Sequence, residues 1–484
     1  LSIRRQRQMC IRDSSYSVKK IKLRSKEWFD NPKDPGLTAL YLERYLNYGL
    51  KRKDLQSGKP IIGIAQSGRD LSPCNRHILD LSKNIKKGIL NAGGVPMEFP
   101  THPIQETGKR PTAALDRNLS YLSLVEVLYG YPLDGVVLTT GCDKTTPAAL
   151  MAAATVNIPS IILSGGPMLD GHYKGQKAGS GTIIWEARKL YSKGEIDYDQ
   201  FMDMATASSP SVGHCNTMGT ASTMNSIAEA LGMSLPGCAI IPAPYPERKK
   251  ISYKTGQRIV NMVRENLTPS KIMTKKAFEN AVVVASAIGG SSNATTHLLA
   301  IAKHMGIKFD LSNWQKLGHK IPLLVDCQPA GKYLMEGFYK AGGVPAVMKE
   351  LIKNKKLNIK VKTVTGKNLG QNLKSKIKVN SKVIKTFKKN LSQNAGFLVL
   401  KGNFFNSAIM KTSVISDEFK KRYLSDRDRP NSFICKAVVF EGPEDYHKRI
   451  NSKKLNIDEK SILIIRGCGP IGYPGSAEVV NMQP

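Results

Sequence analysis

The chain is defined first by what it lacks. No run of eighteen apolar residues occurs among its 484, which excludes a transmembrane helix of ordinary length. Its basic start, LSIRRQRQMCIRDSS, has no apolar core of the kind a secretory signal needs, and residues 1–15 read as a non-native, adapter-derived leader. The eight cysteines include no CxxC pair and no regular framework. That argues against a disulfide scaffold and against zinc motifs of short spacing, and for a reducing, cytoplasmic setting. Neither a GxGxxG fingerprint nor a P-loop lysine is present. Acidic residues are scarce, 38 against 72 Lys and Arg, for a formal charge of +34. Such an excess can serve nucleic acid or an anionic surface. Residues 351–390, however, carry thirteen lysines with no acidic residue and no glycine–aromatic binding signature. The stretch reads as a solvated face that favours small anions, with no specific nucleic-acid partner and no membrane partner.

What is present is an alternation of strand and helix signals. A basic entry segment with one short helix is expected over 16–58. From 59 onward PIIGIAQS reads as a buried strand, and RHILDLSKNIKKGILNAG as an amphipathic helix stopped by glycine. LDGVVLTTG ends at Cys142, TPAALMAAATV follows as a helix, and NIPSIILSGGP repeats the strand-to-glycine-loop pattern. AVVVASAIGG, HLLAIAKHMG and IPLLVDC continue the alternation. The expectation is an α/β domain with a largely parallel sheet over 59–358, its site at the C-terminal ends of the strands. Beyond it, IKVKTVTG, GFLVLKGN, FICKAVVF and SILIIRGCG read as strands of a β-rich, barrel-like domain over 359–484 that is cut short at its end.

Three cysteines sit in polar, turn-rich settings: Cys74 in DLSPCN, Cys142 in TGCDKTTP and Cys215 in VGHCNTMGT. Thiols among prolines, glycines and small polar residues look like ligands held on loops, whereas packing cysteines sit among aliphatics. They are separated by 68 and 73 residues, so only tertiary folding can gather them. Three readings stay open: an iron–sulfur cluster one thiolate short of full ligation, ordinary loop or core thiols, and zinc or a thiol nucleophile. Asp143 beside Cys142 offers a hard oxygen suited to magnesium, with Lys144 next to it. Glu106 in QETGKRP and Glu478 in GYPGSAEVVNM are further oxygen donors in turns. GGSSNATTH at 289–297 reads as a helix start that can receive an anion. His214 adjoins Cys215, whereas His77 is expected on a surface and His297 in packing. Cys238 and Cys435 are expected in the core, with Cys327 and Cys468 on turns as lesser candidates.

At these residues the chain resembles the dihydroxy-acid and sugar-acid dehydratase family, through PCN at 73–75, GCDKTTPA at 141–148, SGGPM at 164–168, GHCNTMGTAST at 213–223 and GPIGYPGSAEV at 469–479. The resemblance implies that Cys74, Cys142 and Cys215 ligate a [2Fe–2S] cluster, with [4Fe–4S] as the alternative. It implies that Glu106, Asp143, Glu478 and a carbamylated Lys144 hold Mg2+. Asn75, Thr145, His214 and Asn216 then line or support the site. CDKTTPA and QETGKRPTAALDRN look like the pentonate branch of the family, implying a xylonate or arabinonate substrate dehydrated to its 2-keto-3-deoxy acid. A dihydroxy-acid dehydratase of branched-chain amino-acid synthesis, or an inactive fragment that only binds anion and metal, is the alternative. A homodimer or homotetramer is implied as well. The family's proton-abstracting serine is expected beyond Pro484, so the chain as given is expected to lack turnover.

Overall fold

The computed structural model describes residues 22–104, 114–404 and 406–467. The entry segment holds more helix than expected: short turns at Lys26–Phe29 and Arg52–Leu55 flank α1 (Pro35–Leu46), which Asp34 caps through the Leu37 amide. Asp134 ties this segment to the sheet. Its carboxylate accepts from the Ser25 amide and hydroxyl and from the Ile61 amide.

The central sheet has four parallel strands in the order β2-β1-β3-β4, namely β1 (Ile61–Gln66), β2 (Val95–Pro100), β3 (Gly135–Thr140) and β4 (Ser160–Ser164). Every residue of β1, β3 and β4 is buried. Strands apolar on both faces suit a parallel sheet with helices on each side. One covering layer is α2 (Ile78–Asn91), whose Ile78, Leu81, Ile85 and Ile89 make a buried stripe at helical spacing. It crosses α6 (Pro246–Arg264) backbone to backbone. A Cβ on Gly88 would lie 2.1 Å from the Tyr253 carbonyl oxygen, and one on Gly256 would lie 2.2 Å from that of Ile85. On the other side α3 (Ala114–Gly130) packs against α4 (Thr145–Val156).

Two segments depart from a strand–helix alternation. AVVVASA lies on a helix, α7 (Lys275–Ala287), and α5 (Thr220–Ala230) is buried at every position, polar residues included. A helix enclosed on all sides needs no polar face, so the 3.6-residue period vanishes from its sequence. Completing this layer is α8 (Asn293–His304), packed along α4.

The lysine-rich stretch contributes to the main core. Leu357, Val361, Val364, Leu369, Leu373, Val383 and Ile384 are buried in it. IKVKTVTG is a turn with one isolated bridge, Lys362 to Asn368, in place of a strand. A small hairpin, β5 (Gly171–Tyr173) with β6 (Gln176–Ala178), follows β4. Farther on, β7 (Phe397–Leu400) pairs antiparallel with β8 (Ala408–Lys411). β9 (Lys436–Phe440) and β10 (Ser461–Ile465) pair parallel across α9 (Pro443–Arg449), with their own core of Val438, Phe440, Tyr446 and Ile450. Among the described residues these strands form two-stranded sheets and no closed barrel. No described helix is long and apolar enough to cross a membrane.

Candidate active site

The strand order reverses between β1 and β3: β2 lies on one side of β1, and the chain returns to the other side for β3 and β4. Ligands in open parallel sheets bind at such a switch, beyond the carboxyl ends of the strands. Cys74 sits on a one-turn 3-10 helix, Pro73–Asn75, in the connection after β1, and Cys142 lies two residues past the end of β3. They meet there. A hydrogen bond with Cys142 draws the Cys74 thiol below its ordinary range, against burial and the Asp143 charge, which push it up.

An asparagine locks this pair of loops. Asn75, fully buried, accepts from the Cys142 amide at 3.1 Å and donates to Ser67 Oγ at 3.2 Å. The Ser67 amide donates to Thr139 Oγ1 (3.0 Å), which donates to the Ala65 carbonyl (2.7 Å). Gly141 is required for this approach, since a Cβ there would fall 2.1 Å from Asn75 Oδ1. Thr145 closes the turn from the other side, accepting from the Gly141 amide (3.0 Å) and donating to the Cys142 carbonyl (2.7 Å).

Asp143 and Lys144 are buried, at 0% and 1% exposure. Lys144 Nζ donates to Asp143 Oδ2 at 2.9 Å, while Asp143 Oδ1 receives the Lys144 amide at 2.8 Å and Cys142 Sγ at 3.4 Å. Two opposite charges withdrawn from water are stable only with close pairing and further hydrogen bonds.

The third cysteine arrives by a different route. After β4 the chain passes Gly165 and Gly166, and the His214 amide donates to the Gly166 carbonyl at 3.0 Å while its carbonyl accepts from Met168. His214 is neutral, burial pushing its pKa down to about 3. Its Nδ1 faces the Cys215 carbonyl at 3.0 Å and so carries the proton, leaving Nε2 to accept from Asn225 Nδ2 at 3.2 Å. The Asn225 amide also donates to the Gly141 carbonyl (3.2 Å) and accepts from Thr140 (3.1 Å) and Thr146 (2.9 Å). This one side chain therefore joins the Cys215 segment to the Cys142 turn. Asn216 turns away from them and holds backbone, accepting from the Ser180 amide and donating to the Leu169 and Ser208 carbonyls.

Several expected roles change. His77 is half-buried, and its Nε2 meets the Gly165 carbonyl at 2.8 Å instead of facing solvent; burial lowers its pKa to about 4. Cys238 is a core thiol as expected, Cys327 joins it in the core instead of lying on a turn, both raised by burial, and Cys435, expected in the core, precedes β9 in a half-exposed position. Glu106, Glu478 and Cys468 lie outside the described residues, and among the described residues no three His, Cys, Asp or Glu side chains gather tightly enough to hold a single metal ion. Asn225 and Arg248 went unnoticed in the sequence. Arg248, fully buried, donates to the Ser164 carbonyl at 2.6 Å and to that of Ile241, bracing the end of β4. The one available signal for Asn225 was an amide amid the small residues of GTASTMNSIAEA.

Known proteins resemble this chain over most of its length. Residues 59–372 match the dihydroxy-acid/6-phosphogluconate dehydratase N-terminal domain, and residues 382–484 match the C-terminal domain of the same family. A D-xylonate dehydratase of Caulobacter vibrioides is 59% identical over 463 residues, covering 96% of this chain and 78% of the relative. An L-arabinonate dehydratase of Rhizobium leguminosarum is 44% identical, over 95% of this chain and 77% of the relative. A dihydroxy-acid dehydratase of Caldanaerobacter subterraneus is 36% identical, over 90% and 77%. The chain belongs to the dihydroxy-acid/6-phosphogluconate dehydratase family, on its pentonate dehydratase branch.

Proposed function

We propose that this protein is a hydro-lyase that dehydrates a sugar acid, a pentonate such as xylonate or arabinonate, to the 2-keto-3-deoxy acid. The observation that carries the reading is the meeting of Cys74 and Cys142 at the β1–β3 switch, directly against the buried Asp143–Lys144 pair. The names of the relatives quoted above support the substrate class.

The cysteine donors fit the cluster that the family implies, and Asp143 offers one hard oxygen to Mg2+. Soft thiolates suit iron–sulfur ligation, and the Cys74–Cys142 hydrogen bond favours a thiolate. In this reading Cys74, Cys142 and Cys215 hold a [2Fe–2S] cluster, with [4Fe–4S] the alternative. Asp143 and Lys144 contribute to a Mg2+ site completed by Glu106 and Glu478, and a carbamylated Lys144 would add oxygen donors. When bound, these groups supply Lewis acidity to the substrate's carboxylate and hydroxyl oxygens. The chain's own residues do the rest. Asp143 and Lys144 present fixed charge in a site closed to bulk water, where electrostatic attraction is stronger than in solvent. The Asn75 and Asn225 amides fix the two cysteine turns, so reacting groups are positioned without reorganisation. A homodimer or homotetramer in a reducing cytoplasm belongs to the same reading, and sedimentation would measure the assembly.

The test is anaerobic preparation of the protein, iron, sulfide and magnesium analysis, and a keto-acid assay across xylonate, arabinonate, gluconate and 2,3-dihydroxyisovalerate. Cluster iron with turnover on pentonates supports the proposal and refutes the expectation that the chain as given lacks turnover. Turnover confined to 2,3-dihydroxyisovalerate moves the protein to the amino-acid branch, and zinc without iron overturns the cluster.

A further inference from the structure

Arg117 on α3 and His297 on α8 form a buried pair that the proposed chemistry does not use. They are 5% and 3% exposed. Arg117 Nη1 lies 3.0 Å from His297 Nδ1, and its Nε and Nη2 donate to Asn118 Oδ1 at 3.2 and 2.9 Å. Among the described residues no carboxylate pairs with this guanidinium. Arginine keeps its charge in proteins, so burial without a counter-anion is costly unless an anion arrives from outside.

The same contact fixes the histidine. A guanidinium only donates, so Nδ1 offers its lone pair and the proton sits on Nε2. That N–H is buried with no acceptor. Burial, then the charges of Arg117 and Lys144, keep the imidazole neutral. Position follows from the helices. His304, two turns later on the same face of α8, lies 3.0 Å through Nδ1 from Thr155 Oγ1 near the end of α4. α4 begins directly after the Asp143–Lys144 pair, so His297 lies toward that end of α4, beside the site.

Resting on the sugar-acid reading above, we propose that Arg117 and His297 form a second carboxylate-recognition element, which contacts the substrate carboxylate alongside the metal-binding residues. His297 Nε2–H donates to a carboxylate oxygen of the substrate, and Arg117 supplies the countercharge while holding the donor tautomer. This pair would make the enzyme select sugar acids over the corresponding neutral polyols.

Equilibrium binding of D-xylonate and of xylitol to the metal-loaded full chain tests this, comparing the parent with His297→Leu, Arg117→Met and His297→Gln. Iron and sulfide content and thermal unfolding are recorded for each. Xylonate should bind about tenfold or more weakly to His297→Leu and Arg117→Met and within about threefold of the parent to His297→Gln, with xylitol unchanged. Xylonate affinity within about twofold of the parent in both weakened variants overturns the proposal while leaving the sugar-acid reading intact. If the parent binds 2,3-dihydroxyisovalerate but not xylonate, and loses it on His297→Leu, the recognition element stands and the sugar-acid reading falls. If the parent binds no carboxylate, both fall. Should His297→Leu fail to fold, Arg117→Met decides by the same criterion.

Discussion

Replacing Asn225 with leucine removes a side chain of similar size that satisfies four partners at once. Two of them, the Thr140 and Thr146 hydroxyls, can rotate toward other acceptors. The Gly141 carbonyl and His214 Nε2 cannot, because a backbone turn and a buried ring hold them in place. A buried polar group stranded in this way costs about 1–3 kcal/mol, so two cost about 2–6 kcal/mol. Asn225→Asp keeps the acceptor for both threonines but loses both donors and adds a buried charge, and should destabilise at least as much as leucine. Urea unfolding at constant m value reads the loss, and iron content per folded chain reads the effect on the cysteine turns. A loss below about 1 kcal/mol in Asn225→Leu would refute the claim that this amide joins the Cys215 segment to the Cys142 turn.

Other outcomes follow from the same contacts. Gly141→Ala should displace Asn75, destabilise the fold by about 1–3 kcal/mol and lower iron loading, whereas Gly130→Ala, with open space around it, should leave both unchanged; equal behaviour in urea unfolding and iron analysis would sink the close-packing argument. Gly88→Ala, which sets a methyl against the Tyr253 carbonyl, should lower the unfolding temperature without altering metal content in protein that folds. Glu229 is buried, accepts from the Gly237 and Ala239 amides, and has its pKa pushed up by burial to about 7. A carboxyl raised in the folded state adds stability that is fully present below its unfolded pKa and lost as pH rises through the folded value. The stability of the parent relative to Glu229→Gln should therefore fall by about 3 kcal/mol between pH 4.5 and 7; a flat difference across that window in denaturant titrations would contradict it.

The meeting of the Cys74 and Cys142 loops was legible in the sequence, where strand and turn are contiguous. PIIGIAQS leading to Cys74 and LDGVVLTTG leading to Cys142 carry their geometry locally, because an apolar strand ending in a polar loop delivers its next residues to the sheet's carboxyl edge. What ties those loops together was not legible. Asn225 and Arg248 lie on helices far along the chain, and nothing local marks a buried amide or guanidinium as a brace. The helix at Lys275–Ala287 hid for the opposite reason: over Asn280–Ala287 enclosure on every side erased the period that would have announced it. His77 was misread because its place at a helix start suggested solvent, whereas its partner, the Gly165 carbonyl, lies 88 positions away.

The wide separation of the three cysteine turns has a consequence for the order of events in the protein's life. A short-spaced zinc motif can take its metal while most of the chain is still unfolded, and the metal then drives folding. Here no short peptide fragment contains the thiol set. It comes into being only after β1 and β3 have paired and α5 has seated Asn225 between the loops. Under the cluster assignment proposed above, loading is a late event on a finished scaffold, and the metal-free protein should already show its native secondary and tertiary structure by circular dichroism. Under that same assignment, a cell could keep a folded, empty reserve of this protein and activate it when iron becomes available.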